Sequence, residues 1–398
     1  HHQHKVTKLY CAPGNAGISK IAECVAIKAE DIEKITDYAV SEKIDLVVVG
    51  PEGPLVAGLV DMLNENKIKA FGPNKMGARF EGSKSYSKDF MEKYNIPTAR
   101  YATYTEPEKA LNGLKKFNVP IVVKADGLAA GKGVIICQTY KEAEEAINDI
   151  MNDKQFGNAG DIIVIEEFLD GTEASLLCFV DGKSIIPMES ARDYKKAYDN
   201  DLGLNTGGMG CFSPNPIYTE SLKKYIETNI LNTTLNGFIS ENIDFRGVLF
   251  IGLMIKENEA KVLEYNTRFG DPETEVVLPR LKSDLFDIME KTIEGTLSPD
   301  DLSWIEEKSA TVILASGGYP ESYEKGKEIT GLDLVEDDII VFHGGTKLSD
   351  GKILTDGGRV LAVTAIGKTL GEARDKIYKN VSKINFEKIQ YRKDIAKL

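Results

Sequence analysis

Lys124-Ala-Asp-Gly-Leu-Ala-Ala-Gly-Lys-Gly133 stands between two short apolar runs, Ile121 to Val123 and Val134 to Cys137. Strand formers on either side of a glycine-rich tip predict a hairpin whose turn exposes backbone N–H groups and two ammonium groups. Such a loop can fold over phosphates, which makes Lys124, Gly131, Lys132 and Gly133 candidate phosphate contacts. A P-loop is excluded by spacing, because it needs four residues before its Gly-Lys pair and a following Ser or Thr. Here three residues separate Gly127 from Gly131, and Gly133 follows Lys132. Taken alone, the stretch equally fits an ordinary glycine-rich turn.

A second pattern narrows the reading. Gly247-Val-Leu-Phe-Ile-Gly-Leu-Met-Ile255 and Lys261-Val-Leu-Glu-Tyr265, joined by the polar turn Lys256 to Ala260, predict an antiparallel hairpin. If the second strand continues, Glu264, Asn266 and Arg268 alternate onto one face. That face offers a carboxylate and an amide oxygen to a hard cation, with a guanidinium beyond. Mg²⁺ takes oxygen ligands and is usually completed by water and phosphates, so two protein ligands suffice. The bland alternative is a solvated strand end with an internal Glu/Arg pair. Asp271 and Glu273, crowded into the same turn beside Gly270 and Pro272, count against it.

The strand-like Ile162-Ile-Val-Ile-Glu-Glu-Phe-Leu169 ends at Asp170-Gly171-Thr172-Glu173. Its exit, Glu166, Glu167, Phe168 and Leu169, can present backbone groups to an adenine edge, and Glu173 can accept from ribose hydroxyls. An adenine edge, a phosphate cover and a metal strand are three complementary needs of one ATP. Thr206-Gly-Gly-Met-Gly210 lets backbone approach a ligand closely at Gly207 and Gly208. Arg192, Asp193, Lys195 and Lys196 lie just upstream.

Composition agrees with this chemistry. The chain has 398 residues, enough for two to four domains, and a net charge of −13 that argues against a general nucleic-acid or membrane-surface role. No apolar run reaches about 18 residues. Five scattered cysteines without a Cys-x-x-Cys spacing fit a cytoplasmic protein. His1, His2 and His4 look like a tag remnant, so His343 alone is left for chemistry and a His-based triad or zinc site is not expected.

The expected fold class is α/β and α+β multidomain. Strand and helix signals alternate over residues 5–82, with a helix-like run from Pro54 to Asn66, predicting a parallel α/β domain whose loops Pro13-Gly-Asn-Ala16 and Gly50-Pro-Glu52 sit at strand ends. Residues 83–295 form a middle region with a small lid at about 103–170. Residues 310–398 form a C-terminal α+β domain.

Three runs carry a family resemblance: Gly-Leu-Ala-Ala-Gly-Lys-Gly-Val (127–134), Asn-Thr-Gly-Gly-Met-Gly (205–210) and Arg-Phe-Gly-Asp-Pro-Glu-Thr (268–274). They closely resemble the glycinamide ribonucleotide synthetases of the ATP-grasp superfamily, and the similarity extends from about Ala12 to Ile395. The resemblance implies an N-terminal domain, an ATP-grasp domain pair clamping the nucleotide, and a C-terminal domain. By motif, Lys84, Lys124, Glu166 to Leu169, Glu173 and Asn205 would contact ATP, and Glu264 and Asn266 would hold Mg²⁺ or Mn²⁺. Lys196 stands where the family often has Arg. The implied reaction joins glycine to 5-phosphoribosylamine through glycyl phosphate at the expense of ATP, in purine biosynthesis. Arg268 and Lys124 would serve the chemistry, with Asp271 or Asp193 for an amine. Pro13, Gly14, Asn15, Ala16 and Glu52 would receive the ribose phosphate. The family's opening strand and Gly-x-Gly-Gly-Arg-Glu-His loop have no counterpart before Lys5 in this sequence. A monomer or weak homodimer acting on small molecules is expected, without nucleic-acid or membrane partners. A carboxylase using the same ATP parts, and a nucleotide-binding module without catalysis, are the competing readings.

Overall fold

The computed structural model describes residues 5–129 and 133–397. The N-terminal part contains β1 (Tyr10–Cys11), β2 (Glu23–Cys24), α1 (Ile32–Ser41), β3 (Leu46–Val48), α2 (Glu52–Ala57), α3 (Leu59–Glu65), β4 (Lys69–Phe71) and α4 (Lys75–Gly82). Strands pair in parallel, β1 with β2 and β3 with β4, as two separate ladders. The single helix expected over Pro54 to Asn66 is instead two, because Gly58 breaks it at φ +98°. Leu55, Leu59, Val60 and Leu63 still face one small core.

Next come α5 (Lys84–Lys93), β5 (Tyr101–Tyr104), α6 (Pro107–Gly113), β6 (Ile121–Ala125), β7 (Val134–Cys137), α7 (Tyr140–Ile147) and β8 (Ile163–Glu167). The strands form an antiparallel sheet in the order β5-β8-β6-β7, with the expected β6–β7 pairing across the glycine loop. Ile121, Val123, Ile163 and Ile165 turn onto α6 and α7, giving these elements a hydrophobic cluster of their own.

The body is built on β9 (Thr172–Asp181), β10 (Ile185–Pro187), β15 (Arg246–Lys256) and β16 (Glu259–Asn266), in the order β10-β9-β15-β16. Between them in sequence lie β11 (Arg192–Asp193), β12 (Lys196–Tyr198), β13 (Leu202–Asn205), β14 (Gly210–Ser213), α8 (Glu220–Ile226) and α9 (Asn232–Ser240). After them come α10 (Thr274–Val277) and α11 (Leu285–Glu294). Period-two alternation assigns the two faces: Leu249, Ile251 and Leu253 point into an aromatic cluster under α8 and α9, while Val248 and Phe250 point toward α11. The β15–β16 turn is tighter than expected, since Lys256 already pairs with Glu259.

The remainder supplies β17 (Lys308–Ala315), β18 (Ile339–His343), β19 (Thr346–Ser349), β20 (Lys352–Thr355), β21 (Arg359–Gly367) and α12 (Leu370–Val381). Its sheet runs β11-β14-β17-β21-β18, so two strands come from far upstream of residue 310. Being only two and four residues long, β11 and β14 leave little periodic signal. They carry the Thr206–Gly210 turn to the edge of the C-terminal unit. Buried Arg392 fastens the other end: it reaches Asp394, Asp201 and the Lys196 carbonyl and lies over Tyr194.

Phe80 sits at the join of the N-terminal part and the body, with Tyr86, Phe90, Phe238 and Tyr265 rings centred 4.8–6.0 Å away. Phe80→Ala should lower stability by about 3–5 kcal/mol, the range for emptying an aromatic core site. Denaturant unfolding followed by the tyrosine signal of the body measures it. A loss under about 1 kcal/mol would show the join to be loosely packed.

Candidate active site

The expected metal strand ends β16. A bulge lies within it, since Gly252 faces Glu264 while Leu253 faces Val262, leaving Leu263 as the extra residue. Gly252 matters here because a Cβ at that position would meet Glu264 Cγ at 3.3 Å. Asn266 Nδ2 donates to Glu264 Oε1 at 3.4 Å, so the two side chains share a face, as alternation predicts. Arg268 does not continue the strand. It lies in the following turn, where Nη2 pairs with Glu81 Oε1 at 2.8 Å and Nε faces Glu52 Oε2 at 3.7 Å. Glu81 also accepts from the Thr267 N–H, so this buried carboxylate, which the sequence reading missed, sets the turn.

Three ammonium groups act electrostatically on Glu264. Burial alone would raise its carboxyl, but Lys195, Lys124 and Lys84 outweigh that and hold it below the usual range. A charged carboxylate and an asparagine amide on one face are groups whose hard oxygens fit Mg²⁺ or Mn²⁺. Among the described residues no group of three His, Cys, Asp or Glu side chains forms a closed metal cage. An ion here would need further oxygens from a substrate.

Lys124 arrives on β6, buried, with Nζ 3.0 Å from Glu166 Oε1 and 3.4 Å from the Leu263 carbonyl. Lys84 opens α5, where its Nζ donates to the Gly127 carbonyl at 3.1 Å and burial lowers its pKa. Asp126, another residue the sequence reading passed over, ties the glycine loop to that helix start by accepting from Ser83 Oγ and the Ser85 N–H. Gly133 closes the loop, its carbonyl accepting from the Ala125 N–H. Gly131 and Lys132 lie outside the described residues.

Glu166 and Glu167 end β8 on opposite faces. Glu166 is buried between Lys124 and Lys88, and Glu167 accepts from the Arg100 N–H. Phe168 is exposed, Leu169 half-buried, and exposed Glu173 sits 3.8 Å from Lys195 Nζ. Lys196 and Asn205 are cross-strand partners in the β12–β13 hairpin.

Asp193 is the most unusual group. Its side chain is 3% exposed, neither oxygen has a hydrogen-bond partner, and Lys195 Nζ stands 3.3 Å away. Burial pushes its pKa up to about 8, with Glu273 and Glu173 adding to the rise and Lys195 opposing it. Gly208 covers it at φ +116°, and a Cβ there would fall 2.5 Å from Asp193 Oδ1 and from Pro272 Cδ. Gly207 donates to Tyr319 Oη at 2.9 Å, and its carbonyl accepts from Arg359 Nη1 at 2.9 Å. Arg359 also holds the Asp271 carbonyl and carboxylate. Tyr319 and Arg359 come from the C-terminal unit, and no local motif marks them.

The Pro13–Ala16 loop is placed by Asn15. Its Oδ1 caps the Gly17 and Ile18 N–H groups, while Nδ2 donates to the carbonyls of His343 and Gly344. The neighbouring Gly345 N–H donates to the Arg359 carbonyl, so the loop reaches the centre through one connection.

Known proteins resemble this chain in sequence and in fold. The family descriptions of phosphoribosylglycinamide synthetase match in three pieces: the N domain over residues 1–81, the ATP-grasp (A) domain over 82–274 and the C domain over 309–398. The chain is 48% identical over 392 residues to a phosphoribosylamine–glycine ligase of Caldanaerobacter subterraneus, covering 98% of this chain and 94% of that protein. It is 47% identical to the ligase of Escherichia coli O157:H7, covering 98% and 92%. The crystal structure of the Thermotoga maritima ligase superposes with a TM-score of 0.86 at 35% identity, over 97% of this chain and 93% of that one. A biotin carboxylase domain from Hydrogenobacter thermophilus shares the fold at TM-score 0.74 and 15% identity, over 96% and 86%.

Gly208→Ala should cut turnover by about a hundredfold by displacing Asp193 and the 271–273 turn, the scale of loss that accompanies a shift of about 1 Å. Its affinity for ATP should stay near the parent value. Steady-state rates beside a nucleotide titration check this, and unchanged turnover would remove Asp193 from the centre.

Proposed function

The chain belongs to the phosphoribosylglycinamide synthetase family, ATP-grasp ligases of purine biosynthesis, and on that premise we propose how its residues join glycine to 5-phosphoribosylamine. The observation that carries the reading is the end of β16, where Glu264 and Asn266 share a face, Lys124 Nζ lies 3.4 Å from the Leu263 carbonyl, and the positive charges of Lys195, Lys124 and Lys84 lower the Glu264 carboxyl. Such a cationic centre around one carboxylate suits a nucleotide triphosphate with a divalent ion.

Lys124, Lys84 and the loop through Gly131, Lys132 and Gly133 take the phosphates. The exit Glu166–Leu169 takes the adenine edge, Glu173 the ribose, and Lys196 with Asn205 the nucleotide's outer side. Glu264 and Asn266 would hold Mg²⁺ or Mn²⁺, and such an ion would supply neutralisation of phosphate charge. Glycine enters between Arg268 and Asp193. Asp271 is committed to Arg359, so Asp193 is the better partner for the ammonium group: an arriving cation lets the buried carboxyl release its proton and pair. Gly207 and Gly208 allow close approach.

A carboxylate oxygen of glycine attacks the γ-phosphorus, the bond to the β,γ-bridging oxygen breaks, and ADP leaves with glycyl phosphate formed. The amine nitrogen of 5-phosphoribosylamine then attacks the glycyl carbonyl carbon. Phosphate departs with the bonding pair, and the nitrogen loses a proton. Lys124 and Arg268 balance charge in both steps, and closure of the lid at about 103–170 keeps water from the acyl phosphate. The loop Pro13–Ala16 with Glu52 receives the ribose phosphate. We place the domains at residues 5–82, 83–295 and 310–398, the protein in the cytoplasm, and its working form as a monomer or weak homodimer. Among the described residues no helix is long and apolar enough to cross a membrane.

Phosphate release from ATP and Mg²⁺ should require both glycine and 5-phosphoribosylamine, and Glu264→Ala should lower it by about a hundredfold or more. Release supported by bicarbonate and indifferent to glycine would instead mark a carboxylase. ATP binding without release would mark a non-catalytic module.

A further inference from the structure

Lys88 is a fully buried lysine that the ligase reaction does not call on. It sits one turn beyond Lys84 on α5, with Nζ 3.2 Å from Glu166 Oε2 and donating to Thr98 Oγ1 at 2.7 Å. Thr98 passes the contact on to the Val262 carbonyl of β16 at 2.6 Å. Lys88, Glu166 and Lys124 are 2%, 2% and 5% exposed, so one carboxylate is enclosed by two ammonium groups. The two are not held alike. Lys124 Nζ is 3.0 Å from Glu166 Oε1, which accepts no directed hydrogen bond, and reaches the Leu263 carbonyl only at 3.4 Å, whereas Lys88 is held between Glu166 Oε2 and a 2.7 Å bond to Thr98. A buried carboxylate with a single cationic neighbour would claim that neighbour whole. With Lys88 present, Glu166 is already balanced.

We propose that Lys88 is a positioning residue for nucleotide use: it neutralises Glu166 from α5 and so leaves the Lys124 ammonium uncommitted for phosphate oxygens. The inference rests on the reading that Lys124 meets the ATP phosphates. Groups acting on Lys88 are Glu166 of β8, Lys124 of β6 and Glu264 of β16. Burial, with Lys124 as a like charge, brings it down to about 8 against the pull of the two carboxylates. Above that pH, neutral Lys88 leaves Glu166 to draw on Lys124.

The test is the dissociation constant of a β,γ-imido ATP analogue with Mg²⁺, measured on the full chain. Lys88→Met should weaken binding by about tenfold or more. In a Glu166→Gln background the same change should matter by less than about threefold, because the charge it balances is gone. The parent protein should bind more weakly above about pH 8, and Lys88→Arg, which stays charged, should abolish that weakening. Equal effects of Lys88→Met in both backgrounds, or superimposed pH profiles for the parent and Lys88→Arg, overturn the proposal. If Lys88→Met does not fold, the pH profiles decide alone. Lys124→Met separates the two readings: unchanged binding there removes the premise, while weakened binding without coupling between Lys88 and Glu166 removes only the positioning role.

Discussion

Like charges gathered in a poorly hydrated space set the terms for the rest of this molecule. Lys84, Lys124 and Lys195 act together on Glu264, and such a grouping persists only if anions balance it. The protein supplies part of the balance through Glu264, Glu166 and the acidic surroundings of Asp193. A nucleotide polyphosphate with its ion supplies the remainder on binding. Much of the architecture can be read as delivery of these groups. β6 brings Lys124, α5 brings Lys84, the β11 edge brings Lys195, and β16, with its bulge, brings Glu264 into their field.

That delivery explains why the centre draws on every part of the chain. The C-terminal unit is bound into it, because β11 and β14 extend its sheet and Arg359 spans from that sheet to Gly207 and Asp271. The N-terminal part enters through Glu81 and Glu52 on Arg268, and through Asn15 on the 343–345 loop. Several of these links are buried or half-buried ions with strict geometry. Their worth is chiefly in orientation, since removing a buried partner costs far more than the pair itself contributes.

Where the chemistry is written in neighbouring residues, the sequence was readable. Strand formers around Lys124–Gly133 predicted the β6–β7 hairpin, and alternation placed Glu264 and Asn266 on one face. Arg268 departs from that pattern because the strand stops at Asn266. Gly58 split one expected helix into two, a break that helical periodicity alone does not register. Lys88, Asp126, Glu81, Tyr319 and Arg359 stayed hidden for a common reason. Each acts on a partner about 40 to more than 180 residues away in the chain, or through a helix face that looks like an ordinary charged surface. The raised carboxyl of Asp193 is of the same kind, as only burial reveals it.

The most direct test of the ligase chemistry follows an oxygen atom. Glycine labelled with ¹⁸O in its carboxylate, turned over with ATP and 5-phosphoribosylamine, should deliver one labelled oxygen into each phosphate released, because that oxygen bridges carbon and phosphorus in glycyl phosphate. Phosphate that emerges unlabelled while glycinamide product accumulates would contradict the account.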